Sequence, residues 1–194
     1  MNLTKLFFAA VIVLSANASF AQDTKVAAHL VTINIPQVAL LDLEVASGTT
    51  DVVLAGTAPT EAGLPMTFGT TATNSAIWMN YSSIVKGALL RNVTVSITNG
   101  TLPTGLKLTV LASAATADGA GTKGTAATAI ALTNTAAAAI VTGIGSTYTG
   151  DGATKGRNLT YQLGYATDEA TDYAALRFVD LAAPLTITYT LSDI

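Results

Sequence analysis

Val93 to Thr98 reads VTVSIT: Val93, Val95 and Ile97 fall on one face of an extended chain, Thr94, Ser96 and Thr98 on the other. A period of two with an all-hydroxyl polar face is the pattern of a strand packed on one side and wetted on the other. Asn99-Gly100 follows, a pair that accepts positive φ and so favours a reversal. Leu106 to Leu111 (LKLTVL) then resumes the alternation, with TLPTG lengthening the connecting loop. Upstream, Ala76 to Tyr81 (AIWMNY) and Val38 to Val45 (VALLDLEV) read as strands, the latter setting Leu41, Leu43 and Val45 against Asp42 and Glu44. Leu30 to Ile35 (LVTINI) alternates too, and Pro36 ends it by removing a ladder donor.

Downstream, Ile140 to Ile144 (IVTGI), Asn158 to Tyr165 (NLTYQLGY) and Leu185 to Leu191 (LTITYTL) complete the set. Ala112 to Thr128 is nearly all Ala, Gly and Thr and is expected to be a surface loop. Ala136 to Ala139 is expected to make one helical turn capped by Asn134. About ten short strands without a long amphipathic helix specify an all-β fold, an antiparallel β-sandwich with a β-barrel as the alternative. Runs of six to eight residues are short for an outer-membrane barrel strand of about ten.

The outermost segment decides the compartment. Lys5, the apolar run Leu6 to Leu14, and Ser19 and Ala21 as small residues at −3 and −1 make residues 1–21 a secretory signal peptide cut before Gln22. Nine apolar residues are about half of the roughly 20 that span a bilayer, so no membrane span is expected after cleavage. The remaining 22–194 are expected to form a single β-sandwich domain, secreted or held at the cell surface, with the periplasm a stage in transit. The chain has no cysteine, so neither a disulfide nor a lipidated cysteine contributes.

Charged residues are only 11% of the chain, 9 basic against 12 acidic. The basic residues are scattered singly, which excludes a nucleic-acid partner of the ordinary phosphate-binding kind. Water must be met by threonine instead, of which there are 32, beside 35 alanines.

Catalytic chemistry has little to draw on. His29 is the single histidine and no G-x-S-x-G elbow exists; thiolate chemistry is absent. Asp168, Glu169 and Asp172 in TDEATD could face a calcium ion, but lack the EF-hand spacing and read as a solvated loop. Asp42 and Glu44 would need aromatic sugar platforms to act as a glycosidase pair. Trp78 reads as a core anchor. Asn80, Asn92, Asn99 and Asn158 head N-x-S/T triplets. No catalytic, cofactor-binding or metal-ligating residue is therefore assigned, no cofactor is expected, and the protein is not expected to be an enzyme.

The leader, the Thr/Ala/Gly-rich cysteine-free body, the alternating N-terminal segment and the closing LTITYTL resemble secreted bacterial fimbrial or spore-coat-U-like subunits. That resemblance implies an Ig-like sandwich. IVTGIGSTYTG at Ile140 to Gly150, with NLTYQLGY, also resembles uncharacterised exported proteins of Bacteroidota. Neither the disulfide frequent in chaperone-usher subunits nor a penultimate tyrosine is present, so no functional residue is carried over. The expectation is a non-enzymatic structural subunit of a cell-surface filament, coat or matrix. Its partners would be copies of itself or other surface proteins, and its assembly strand would be Leu30 to Ile35 with Val31, Ile33 and Ile35 as inserted side chains. The alternative is a monomeric adhesin or carbohydrate-binding module using Tyr148, Tyr161, Tyr165 and Tyr173.

Overall fold

The computed structural model describes Val26, residues 28–178 and residues 184–194. The leader 1–21 and the cut before Gln22 lie outside the described residues. The chain divides into residues 1–35 and 36–194, each taken by itself below.

The fold is all-β, 46% strand and 6% helix. Among the described residues nine strands, β1 Val38–Val45, β2 Thr73–Ile84, β3 Arg91–Asn99, β4 Leu106–Ala112, β5 Ala120–Ala126, β6 Ile130–Ala131, β7 Ala138–Tyr148, β8 Arg157–Tyr165 and β9 Thr186–Asp193, join one sheet. All their pairings are antiparallel, and the order is β6-β4-β8-β2-β7-β3-β9, with β1 on the free edge of β2 and β5 on that of β7. The sheet is open, so the barrel alternative does not apply.

Two long strands change partners and so fold the sheet. β2 pairs with β8 through Thr73–Met79 and then, at Ser82 and Ser83, with β7. β7 runs along β3 as far as Ile144 before reaching β2 at Thr147 and Tyr148. Past that shared corner the ladders diverge and their inner faces meet. Ile77, Met79 and Tyr81 of β2, Val93, Val95 and Ile97 of β3, Leu108 and Val110 of β4, Ile140, Val141 and Ile144 of β7, and Leu159 and Tyr161 of β8 form one buried cluster. Contacts between strands that are not ladder neighbours tie the faces, as where the Tyr161 and Tyr189 hydroxyls lie 2.7 Å apart. Each fully buried Val, Ile or Leu contributes about 1.5–3 kcal/mol of transfer energy.

Three local expectations are corrected. Ala112 to Thr128 is not all loop, because it contains β5 (AGTKGTA), which pairs with β7. Its glycines allow a backbone approach that a side chain would block: a Cβ on Gly121 would lie 2.2 Å from Ser146 O, and one on Gly124 2.5 Å from Thr142 O. Ala138 and Ala139 belong to β7 and not to a helical turn, since pairing with Val95 and Thr94 outweighs alanine's helix preference. Trp78 alternates with buried Ile77 and Met79, so it lies on the opposite face of β2, half-buried and outside the core cluster.

Candidate functional site

The expected assembly strand is not a strand here. Residues 28–37 carry none, and Val31, Ile33 and Ile35 are 71%, 81% and 70% exposed. Alternation fits a segment to a sheet edge, but without a ladder partner it leaves the segment's apolar groups in water. His29, in the same stretch, is exposed.

The acidic loop is committed to its own backbone. Glu169–Asp172 is a four-residue helix, α1, and Asp168 caps it by accepting from Thr171 N at 2.8 Å, which holds its carboxyl below the usual range. Asp172 Oδ2 accepts from Thr167 N and Asp168 N. Among the described residues no three His, Cys, Asp or Glu groups are placed to hold a metal ion. The four tyrosines weighed as a platform are dispersed. Tyr161 is buried against Tyr189, and Tyr165 stacks edge-on with Phe68 and donates to Met66 O. Tyr148 and Tyr173 are exposed.

Two arginines that the sequence reading left among scattered charges are buried: Arg157 is 2% exposed and Arg91 1%. Arg157 Nε donates to Tyr81 Oη at 2.9 Å, Nη1 to Ser113 O at 2.8 Å, and Nη2 to Lys123 O at 2.9 Å and Gly124 O at 2.7 Å. Tyr81 in turn donates to Lys123 O at 2.5 Å. Burial pushes the Tyr81 hydroxyl's pKa up, with the guanidinium partly opposing it. This network binds β2, β8, the end of β4 and β5 to one planar cation. Arg91 fastens the opposite edges: Nε pairs with Asp193 at 2.7 Å, and Nη1 donates to Ser83 Oγ at 3.0 Å and to Val38 O. The signal was phase, since Arg91 falls on the same alternate positions as Val93, Val95 and Ile97, and Arg157 on those of Leu159 and Tyr161.

A cleft of about 770 Å³ opens where β1, β2 and β7 meet, lined by Leu40, Asp42, Asn80, Ser82, Tyr148 and Asp151 among others. Its composition follows from register. Leu40 pairs with Ser82 and Ser82 with Tyr148, so a small side chain lies between two large exposed ones. One step along, Asp42 pairs with Asn80. Asn80 is 5% exposed; its Nδ2 donates to Gly152 O at 3.0 Å, and its Oδ1 has no hydrogen-bond partner. The loop that carries Asp151 is held at both ends. Thr149 exchanges hydrogen bonds with Tyr81 through both backbone and hydroxyl, and Gly156 N donates to Thr149 O. Lys155 reaches Asp118 at 2.5 Å, lowering that carboxyl's pKa. A second hollow of about 540 Å³ shares Leu40, Ser82 and Tyr148 and continues over Ala120 and Gly121. Of these lining residues the sequence marks Tyr148 as part of a binding platform, Asp42 only as a strand-face carboxylate and Asn80 only as a sequon.

No family model, no curated protein and no solved structure matches this chain.

Proposed function

We propose that this protein is a non-enzymatic structural subunit of a cell-surface filament, coat or matrix, exported under its leader and assembling by β-strand addition. One observation carries the reading: Leu30–Ile35 alternates like a strand, joins none, and holds Val31, Ile33 and Ile35 in solvent. Exposed β-branched side chains alternating along a segment fit an open sheet edge, where backbone hydrogen bonds supply affinity and alternate side chains fill pockets. The open sheet supports the same reading, because β1 and β9 each have one ladder partner and carry half-buried apolar groups, Leu41, Leu43 and Val45 on one, Ile187, Tyr189 and Leu191 on the other. Their inner faces are where an added strand would gain burial. Among the described residues no helix is long and apolar enough to cross a membrane.

Size-exclusion chromatography and electron microscopy of the purified protein test this. The wild type should form concentration-dependent oligomers or fibres, while removal of residues 22–35 should leave a folded species that does not extend. A wild type that stays monomeric at high concentration, or a deletion that unfolds the sheet, overturns the reading.

A further inference from the structure

We propose that the cleft beside Tyr148 binds a neutral carbohydrate chain, an activity that goes beyond assembly through residues 30–35. Tyr148, 56% exposed, lines the cleft, and the electron-rich face of its ring suits the electropositive C–H face of a sugar ring. Asp42 and Asp151 supply carboxylates within the same cleft, and these accept strongly from hydroxyl donors. Asn80 is buried beside them, its Nδ2 holding Gly152 O at 3.0 Å and so fixing the loop that carries Asp151. An exposed aromatic side chain with two carboxylates beside it along an open trough suits a polymer lying on the surface rather than a small molecule enclosed in a pocket.

The lining residues also discriminate. Among the described residues no Lys or Arg lines the cleft, so a uronic or sialic acid would meet two carboxylates there and no cation. A purely apolar ligand would strip water from Asp42 and Asp151 without replacing it. A polyol with one apolar face satisfies both surfaces. Length follows from the second hollow, which shares Leu40, Ser82 and Tyr148 and carries the trough past Tyr148, room for more than one sugar unit. The loop is pre-shaped: Gly150, Gly152 and Gly156 have φ of 90°, 95° and 69°, and Thr154 holds φ 71°, a strained setting for a β-branched residue.

The test is native electrophoresis of the purified protein through gels containing soluble β-glucan, galactomannan or arabinoxylan, with polygalacturonate as the anionic control. At least one neutral polymer should retard the wild type and polygalacturonate should not. Tyr148→Ala should weaken retardation about tenfold at unchanged Tm. Asp151→Ala, in an exposed loop, should weaken it severalfold and serves if the strand variant fails to fold. Ile33→Asp should retain it whichever way the assembly experiment falls. Failure of all three neutral polymers to retard the wild type, equal retardation by polygalacturonate, or wild-type behaviour in both cleft variants would overturn the proposal.

Discussion

Leu30–Ile35 and Leu185–Leu191 are written in nearly the same alphabet, LVTINI and LTITYTL, yet only one becomes part of the sheet. In β9 the alternation is matched to β3, with Ile187 opposite Ile97, Tyr189 opposite Val95 and Leu191 opposite Val93. The apolar phase of β9 is half-buried, whereas that of residues 30–35 is in water. Alternation therefore states that a segment is able to serve as a strand; the partner ladder decides whether it does.

Substituting the same residue in both segments should separate them most. Ile187→Asp places a carboxylate against the core beside Ile97 and should lose about 3 kcal/mol or more, whereas Ile33→Asp should stay within about 0.5 kcal/mol of wild type. Urea denaturation of both variants measures the contrast, and equal losses would mean that the N-terminal segment supports the fold. Arg157→Met tests what holds the sheet together once its ladders have formed. It takes the guanidinium donors from Tyr81 Oη and from the half-buried carbonyls of Ser113 and Gly124, leaves Lys123 O with Tyr81 alone, and should destabilise by about 3 kcal/mol by the same measurement, with Arg157→Lys recovering only part.

A smaller effect appears in alkali. Burial raises the pKa of Tyr81, Tyr161 and Tyr189 above the ordinary 10.0, and the Arg157 guanidinium partly opposes this at Tyr81. Their neutral forms therefore stabilise the fold fully below pH 10, a contribution lost as pH rises through the folded-state values. Absorbance at 295 nm should show these three ionising together with loss of the sheet; early ionisation would mean that β9 opens separately. The smallest effect is expected at Asp118, whose carboxyl Lys155 holds below its ordinary 3.8. Its contribution is complete above 3.8 and fades as pH falls through the lowered value. Asp118→Asn should reduce Tm by no more than about 2 °C at pH 7, with the difference vanishing in acid.

The strands legible in sequence are those in which large apolar residues alternate with polar or charged ones, and β1, β3, β4, β8 and β9 appear within two residues of where the alternation puts them. β5 was illegible because its pairing is written in absent side chains: AGTKGTA has no apolar phase, and its fit to β7 comes from close backbone approach. The alanines of β7 carry a helical preference that pairing overrides. The Tyr148 cleft was half legible, since an exposed tyrosine near a turn can be suspected from sequence. The neighbours that make it a cleft are fixed by the registers Asp42 with Asn80 and Ser82 with Tyr148.

Arg157 bears on the order in which the chain closes. Its acceptors come from positions 81, 113 and 123–124, segments far apart along the chain. While any of them is missing, the guanidinium keeps its water and that corner of the core stays wet. A sheet zipped along only some of its ladders thus gains little there, and the last segment to arrive releases the whole benefit. The latch favours an all-or-none transition over half-assembled sheets with bare edges, the forms in which a β-protein is most exposed to aggregation.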